Sequence, residues 1–372
     1  MRRFKYSPNT FETYIGQRNA KEILQDSLIA SIKENRPLGH ILLSGPPGLG
    51  KSTLARIIAE TQGGQFIETV ATSFGKPEDW KALFEKIKST GYRSDIRTME
   101  AAKEAFKKDG GIDAIIDHSA ILSKPVIFID EIHRMKQSQE EILYSVMQDF
   151  TLHYTENDPF RRNSKTMAWT IIPYCTIVGA TTEVGSLSKP FIDRFKLNIK
   201  LEPYNKKELC VMIELACRNW GVTLEDQAVI GIAERSRGVA RIAMSFLDTA
   251  LDYSYKTNKV GVLTKEAVDI AFDSNHLCID NNGLTLNDIK YLYALKISDV
   301  PLSADSLSSI TDIDIPTMMY NVEPHLLKMG YISKTNRGRH ATQKGISVIT
   351  DHPFLVFING QVPITGSGPF GG

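Results

Sequence analysis

One stretch limits what this chain can fold into: Ile41-Leu42-Leu43-Ser44-Gly45-Pro46-Pro47-Gly48-Leu49-Gly50-Lys51-Ser52. A short apolar run suited to a buried strand enters a loop of glycines and prolines. Thr53-Leu54-Ala55-Arg56-Ile57-Ile58-Ala59 follows, with apolar residues at helical spacing. The loop fits G-x-x-x-x-G-K-[ST] at every position. Strand, loop and helix in this order make a phosphate cradle. The glycines let backbone N–H groups turn inward, and the helix adds the positive end of its dipole. Lys51 can reach the outer phosphates, and Ser52 can place a hydroxyl on Mg²⁺. A nucleotide is therefore expected on Gly45, Pro46, Pro47, Gly48, Leu49, Gly50, Lys51, Ser52 and Thr53.

Composition narrows the setting. The chain has 372 residues, room for roughly two or three domains. Its hydrophobic share of 42% and charged share of 23% suit a packed, water-exposed protein. No apolar run approaches the length of about 18 residues that a membrane span needs, and no apolar segment follows the basic start Met1-Arg2-Arg3. The four cysteines lack C-x-x-C spacing and read as reduced thiols of a cytoplasmic protein, not as a zinc site. A net charge of +1 means that any nucleic-acid contact must come from local clusters.

Upstream of the loop, Tyr14 and Ile15 precede Gly16-Gln17 and offer either core packing or an apolar shelf for a base. Residues 73–124 read as a polar helix pair decorating the surface. Val126-Ile127-Phe128-Ile129-Asp130-Glu131 then reads as a central parallel strand, buried on both faces and ending in two carboxylates. Open α/β sheets bind ligands at that end. Asp130 is placed to hold Mg²⁺, and Glu131 to polarise the attacking water. His133 has no second ligand at metal spacing and reads as a structural or coupling residue. Residues 150–172 form a hairpin with apolar arms, facing either its own domain or a partner.

Cys175-Thr176-Ile177-Val178-Gly179-Ala180 is a further buried strand, ending in Thr181-Thr182. Arg194 follows a proline-broken helix one element beyond the phosphate site, and reads either as a solvated surface residue or as an arginine finger. Residues 204–275 are helical. Arg241, in a helix's first turn, opposes the local dipole and so suits an anion. From about Leu284 short helices and two short strands read as a winged helix. Between Pro324 and Ile349 there are five Lys or Arg and no Asp or Glu. Arg337 and Arg339 stand in its turn, which reads either as suited to DNA phosphates or a groove, or as a solvated basic loop. Phe354–Ile358 reads as a last short strand before a Gly-rich tail.

Taken together, Tyr14-Ile15-Gly16-Gln17, PPGLGKS, FIDEIHR, GATT, the DRF at 193–195, SRG…RIA and the terminal NRGR resemble the RuvB family of AAA+ proteins. The resemblance spans roughly residues 8–350. It implies an α/β P-loop core with a parallel sheet, a helical lid and a C-terminal winged helix. The boundaries expected are 1–200, 201–278, 279–350 and a tail at 351–372. It implies ATP and Mg²⁺, with Lys51, Ser52, Asp130 and Glu131 in the roles above. Thr182 becomes the γ-phosphate sensor, Arg194 the finger reaching a neighbouring subunit and Arg241 the second sensor. The implied assembly is a hexamer acting on a four-way junction or duplex DNA. Residues 150–172 match the hairpin that docks RuvA, the family's junction-binding partner. The chain departs from the family at Ile192, where an arginine is usual, and at Val239-Ala240, where Thr-Pro is usual. It is also longer before Val126. Clamp loaders and initiators share such a site and switch with ATP without translocating, and a non-hydrolysing scaffold would keep the fold alone. Glu131, Thr182 and Arg194 together speak against the scaffold.

Overall fold

The computed structural model describes residues 7–34, 38–89, 125–157, 165–256, 259–273, 277–298 and 300–358. The chain divides into two compact units, residues 7–204 and, among the described residues, 205–358.

The first unit opens with α1 (Arg18–Lys33), β1 (Ile41–Ser44), α2 (Lys51–Thr61), β2 (Phe66–Val70) and α3 (Pro77–Ser89). It continues with β3 (Val126–Asp130), α4 (Gln137–Asp149), β4 (Thr151–Asn157), β5 (Lys165–Ile171), β6 (Thr176–Thr181), the short α5 (Lys189–Ile192) and β7 (Leu197–Lys200). Five strands form one parallel sheet in the order β2-β3-β6-β1-β7. The near-continuous apolar runs of β1, β3 and β6 follow from that position, because helices cover both faces of a parallel sheet. Every residue of β6 is buried, and so is all of β3 except Asp130. The carboxyl ends of β1, β6 and β3 lie in a row, with β6 in the middle. Ser44 is in register with Thr181, and Gly45 N–H donates to the Thr181 carbonyl at 3.1 Å.

Two expectations change. The start of segment 73–124 is core, not decoration. Trp80, Phe84 and Ile87 of α3 are buried beside Ile129 and Leu143. Trp80 stacks on Phe74 with centroids 3.7 Å apart, and its indole N–H donates to Gln139 Oε1 at 2.9 Å. The remainder of that segment, and the hairpin tip at 158–164, lie outside the described residues.

The second unit holds α6 (Lys206–Asn219), β8 (Thr223–Leu224), α7 (Asp226–Arg235), α8 (Ala240–Tyr253), β9 (Val262–Leu263) and α9 (Lys265–Phe272). A capping box of Asn205 and Glu208 starts α6. Next come α10 (Leu286–Lys296), α11 (Ala304–Thr311), α12 (Ile315–Thr317), a π-helical turn (Met318–Val322) and α13 (Glu323–Lys328). The unit ends with β10 (Ile332–Thr335), β11 (Gly338–Ala341) and α14 (Gln343–Ile349). The elements from α10 onward share one core built on Tyr291, Leu292, Leu307, Met318 and Leu326. Helix, helix, helix and hairpin in that order make a winged helix. The segment read as a terminal strand is instead a 3₁₀ turn, Pro353–Phe357. Pro353 has no N–H for a ladder, His352 Nδ1 accepts the Phe354 N–H, and Phe354 and Ile358 bury into the same core.

Candidate active site

The phosphate loop leaves β1 and closes on α2. Gly50 caps α2 with φ 92°, and no side chain caps the helix. The first-turn N–H groups therefore keep their capacity for an anion. A Cβ on Gly50 would stand 2.7 Å from the Tyr14 hydroxyl oxygen, so both the conformation and the space require glycine. Lys51 is buried, and its ammonium donates to the carbonyls of Gly45 (2.7 Å) and Pro46 (3.0 Å) across the curl of the loop.

Tyr14 proves to be a prop under the loop. It is buried, and its hydroxyl donates to the Leu49 carbonyl at 3.1 Å. Tyr204 donates to the same carbonyl at 2.7 Å. Sequence reasoning missed Tyr204, which is far from the loop along the chain and belongs to no local pattern. Ile15 is half-buried beside Tyr14.

At the end of β3, Asp130 accepts the Glu131 N–H at 3.0 Å. Glu131 sits in left-handed conformation, φ 51° and ψ 45°, which breaks the strand and turns its side chain away from the strand axis. Its Oε2 lies 3.3 Å from His133 Nε2. The other ring nitrogen, Nδ1, is 3.1 Å from the Thr181 hydroxyl, which also accepts the Glu183 N–H at 2.9 Å. A carboxylate can only accept, so Nε2 carries the hydrogen. In the neutral ring Nδ1 then accepts from Thr181. Carboxylate, imidazole and hydroxyl thus form one chain from β3 to β6. Thr181 is the buried member of its pair, while Thr182 is exposed at the strand's end. Glu131 and His133 stand two apart in the sequence, but nothing there pairs His133 with Thr181.

Arg194 lies just beyond α5. Its guanidinium stacks 4.2 Å over the Tyr144 ring, and Nη1 donates to the Pro190 carbonyl at 2.7 Å. In the second unit, Arg241 is exposed in the first turn of α8. The wing turn is Asn336-Arg337, between β10 and β11. Arg337 is exposed, but Arg339 is not a free cation. Its side chain is 11% exposed, and Nε donates to buried Glu323 at 2.8 Å. Lys334 pairs with the same carboxylate at 3.2 Å.

In the hairpin, Leu152 packs into the core, while His153 stands opposite Trp169 on the outer face. Met167 is 75% exposed and Trp169 48%. Of the two expectations for the hairpin, one face meets the first and the other leaves the second open.

The residue set fits a triphosphate and a hard divalent cation: uncapped N–H groups, a buried ammonium, a hydroxyl on Ser52 and a carboxylate at Asp130. Fold and site together define a P-loop ATPase domain of the AAA+ class carrying a winged helix. The chain belongs to the RuvB family. The model of the RuvB P-loop domain matches residues 6–92 and 86–201, that of the RuvB AAA lid domain 204–278, and that of the RuvB C-terminal winged helix domain 281–350. A Holliday junction branch migration complex subunit RuvB from Ehrlichia ruminantium is 34% identical over 347 residues, 93% of each chain. That from Campylobacter lari is 33% identical over 346 residues, covering 92% of this chain and 90% of its own. The structure of the Thermotoga maritima RuvB Holliday junction branch migration motor matches with a TM-score of 0.70 and 30% identity. It covers 93% of this chain and 98% of that one.

Proposed function

We propose that this chain is the ATP-driven subunit of a Holliday-junction branch migration motor. The observation that carries the reading is the chain Glu131–His133–Thr181 beside the Lys51 loop, in a protein that also holds a winged helix. Lys51 and the α2 N–H groups hold the phosphates. Ser52 and Asp130 would hold Mg²⁺, which would supply neutralisation of phosphate charge there. Glu131 accepts a proton from the attacking water. Thr181, through His133, fixes the position of that carboxylate, and Thr182 senses the γ-phosphate. Arg194 acts on the site of a neighbouring copy in a ring, a hexamer by family pattern. Arg241 is the second sensor. Turnover then shifts the lid, and Arg337 grips DNA.

The outer hairpin face, with His153, Met167 and Trp169, is the surface for a RuvA-like junction-binding protein. Its apolar side chains are what such a contact would bury.

The test is ATP consumption and strand exchange on a synthetic four-way junction. A motor dissociates the junction with ATP and not with a non-hydrolysable analogue. An initiator-type switch binds DNA with ATP and rearranges nothing.

A further inference from the structure

The lid and the winged helix belong to the same compact unit, and the Arg237 side chain reaches from one to the other. Arg237 lies between α7 and α8, one turn of chain before Arg241. It adopts φ 54°, and Gly238 after it has φ 81°. This reversal aims the guanidinium out of the lid. Nε donates to the Gly283 carbonyl at 2.7 Å, in the segment that links the two domains. Nη2 pairs with Asp288, which is fully buried in the first turn of α10. Nη1 faces the Asn321 carbonyl at 3.5 Å, in the π-turn that leads into α13. One guanidinium therefore touches the linker, the first winged-helix helix and the π-turn that leads into α13.

The same joint is closed from the other side. Arg235 pairs with Asn281 and donates to the Gly231 carbonyl at 2.9 Å, with its guanidinium 4.8 Å over Phe272. Asp280 Oδ1 accepts the N–H groups of Asn282 (2.8 Å) and Leu284 (2.6 Å), which rigidifies the linker turn. Gly283 has φ 76°, and a Cβ there would lie 2.9 Å from the Arg235 carbonyl oxygen. At Gly283 the linker thus lies directly against the lid backbone.

We propose that Arg237 is the joint that makes the lid and the winged helix swing as one lever, so that ATP turnover is delivered to DNA instead of being lost at a loose linker. The proposal rests on the motor reading above. The planar fork matters: three acceptors on three elements need directed N–H groups, which a lysine ammonium on a flexible stem cannot supply together. Arg237 acts through Gly283, Asp288 and Asn321, so it is a positioning residue.

The test uses full-length R237K, R237A and D288N. Nitroxides at exposed Asp252 on α8 and Gln343 on α14 report the lid-to-wing distance. The wild type is expected to give one narrow distribution, and all three variants broad ones. DNA-free ATP turnover and duplex affinity should stay within about twofold, while junctions dissociated per ATP consumed fall about tenfold or more. D288N keeps the side-chain shape and covers the case in which R237A fails to fold. A narrow distribution in R237K, an unchanged yield per ATP, or a fall in turnover and binding that accounts for the lost yield would each overturn the proposal. If the wild type cannot dissociate junctions, the motor reading fails, and the distance distributions still decide whether the joint exists.

Discussion

His133 Nε2 stands 3.3 Å from Glu131 Oε2, while Nδ1 of the same ring rests 3.1 Å from the Thr181 hydroxyl. The imidazole is thus held at both ends. It ties the carboxylate at the end of β3 to β6, the neighbouring strand that also meets the phosphate loop. H133A should lower kcat for ATP by roughly 10–100-fold with ATP affinity little changed, because the base loses its orientation and not its chemistry. H133Q, which keeps a donor near the Nε2 position, should recover part of the rate. E131Q should bind ATP and lose roughly 10²–10⁴ in turnover. Equal rates for H133A and wild type would remove the ring from the mechanism.

Arg194 is stacked on Tyr144 and bonded to the Pro190 carbonyl, a geometry that presents a rigid guanidinium instead of a floppy one. R194A should retain ATP and lose roughly 10³–10⁵ in rate, the usual worth of such a finger. Mixed with K51A, it should regain activity, since one partner keeps an intact loop and the other an intact finger. An absence of recovery at every ratio argues that Arg194 serves its own subunit or none.

Tyr14 and Gly50 are fitted to each other, a hydroxyl beneath a residue with no Cβ. G50A should abolish nucleotide binding, because φ 92° and the 2.7 Å approach both exclude a methyl group. Y14F should be milder, costing about 1 kcal/mol of stability and raising KM for ATP several-fold, since Tyr204 still supports the Leu49 carbonyl. Calorimetric titration with a non-hydrolysable analogue measures both.

The two wing arginines should separate. R337A should weaken duplex binding about uniformly across sequences and reduce the salt slope by about 1, with melting unchanged. R339A strands a buried carboxylate that Lys334 covers only in part, so it should destabilise the winged helix by on the order of 2–3 kcal/mol. Denaturation of each variant, beside DNA titrations at several salt concentrations, distinguishes a grip from a strut.

The sites that local chemistry marks are legible in the order of the residues alone. The phosphate loop and the acidic end of β3 announce themselves within a dozen or so neighbouring residues, and the hairpin and the winged helix through the spacing and hydrophobic period of longer contiguous stretches. Pairings between distant segments are not legible in this way. Arg337 and Arg339 look alike in sequence, and only Glu323, the residue immediately before the stretch that lacks acids, tells them apart. Tyr204 reaches the loop across the whole domain. Trp80 reads as surface because its helix is polar on the other face. Pro353 blocks a ladder that the apolar run after it promises. In each case a long-range partner or a missing N–H overrules a local preference.

His40 makes the stability of the first unit depend on acid. Its ring is buried between two main-chain groups: Nε2 is 3.0 Å from the Met147 carbonyl, and Nδ1 accepts the Ile177 N–H at 3.0 Å. Burial holds its pKa down to about 4 from an ordinary 6.5, against the smaller upward pull of the Met147 carbonyl. A proton on Nδ1 would also cost the bond from Ile177. The folded state thus refuses a proton that the unfolded chain accepts. Well above pH 6.5 neither state is protonated and the site is neutral to folding. As pH falls from 6.5 towards 4 the unfolded chain binds the proton first, so stability drops by about 1.4 kcal/mol per pH unit at most. His325, held down to about 4 chiefly by burial and next by the Arg237 charge, acts in the same direction on the second unit. Urea unfolding at pH 7.5 and pH 5 should therefore show lower stability at pH 5. H40Q should flatten that dependence for the transition of the first unit while starting from lower stability at pH 7.5. A wild-type profile without slope between pH 6.5 and 4.5 would mean that His40 takes up its proton in the fold without penalty, contrary to its enclosed position between β1, β6 and α4.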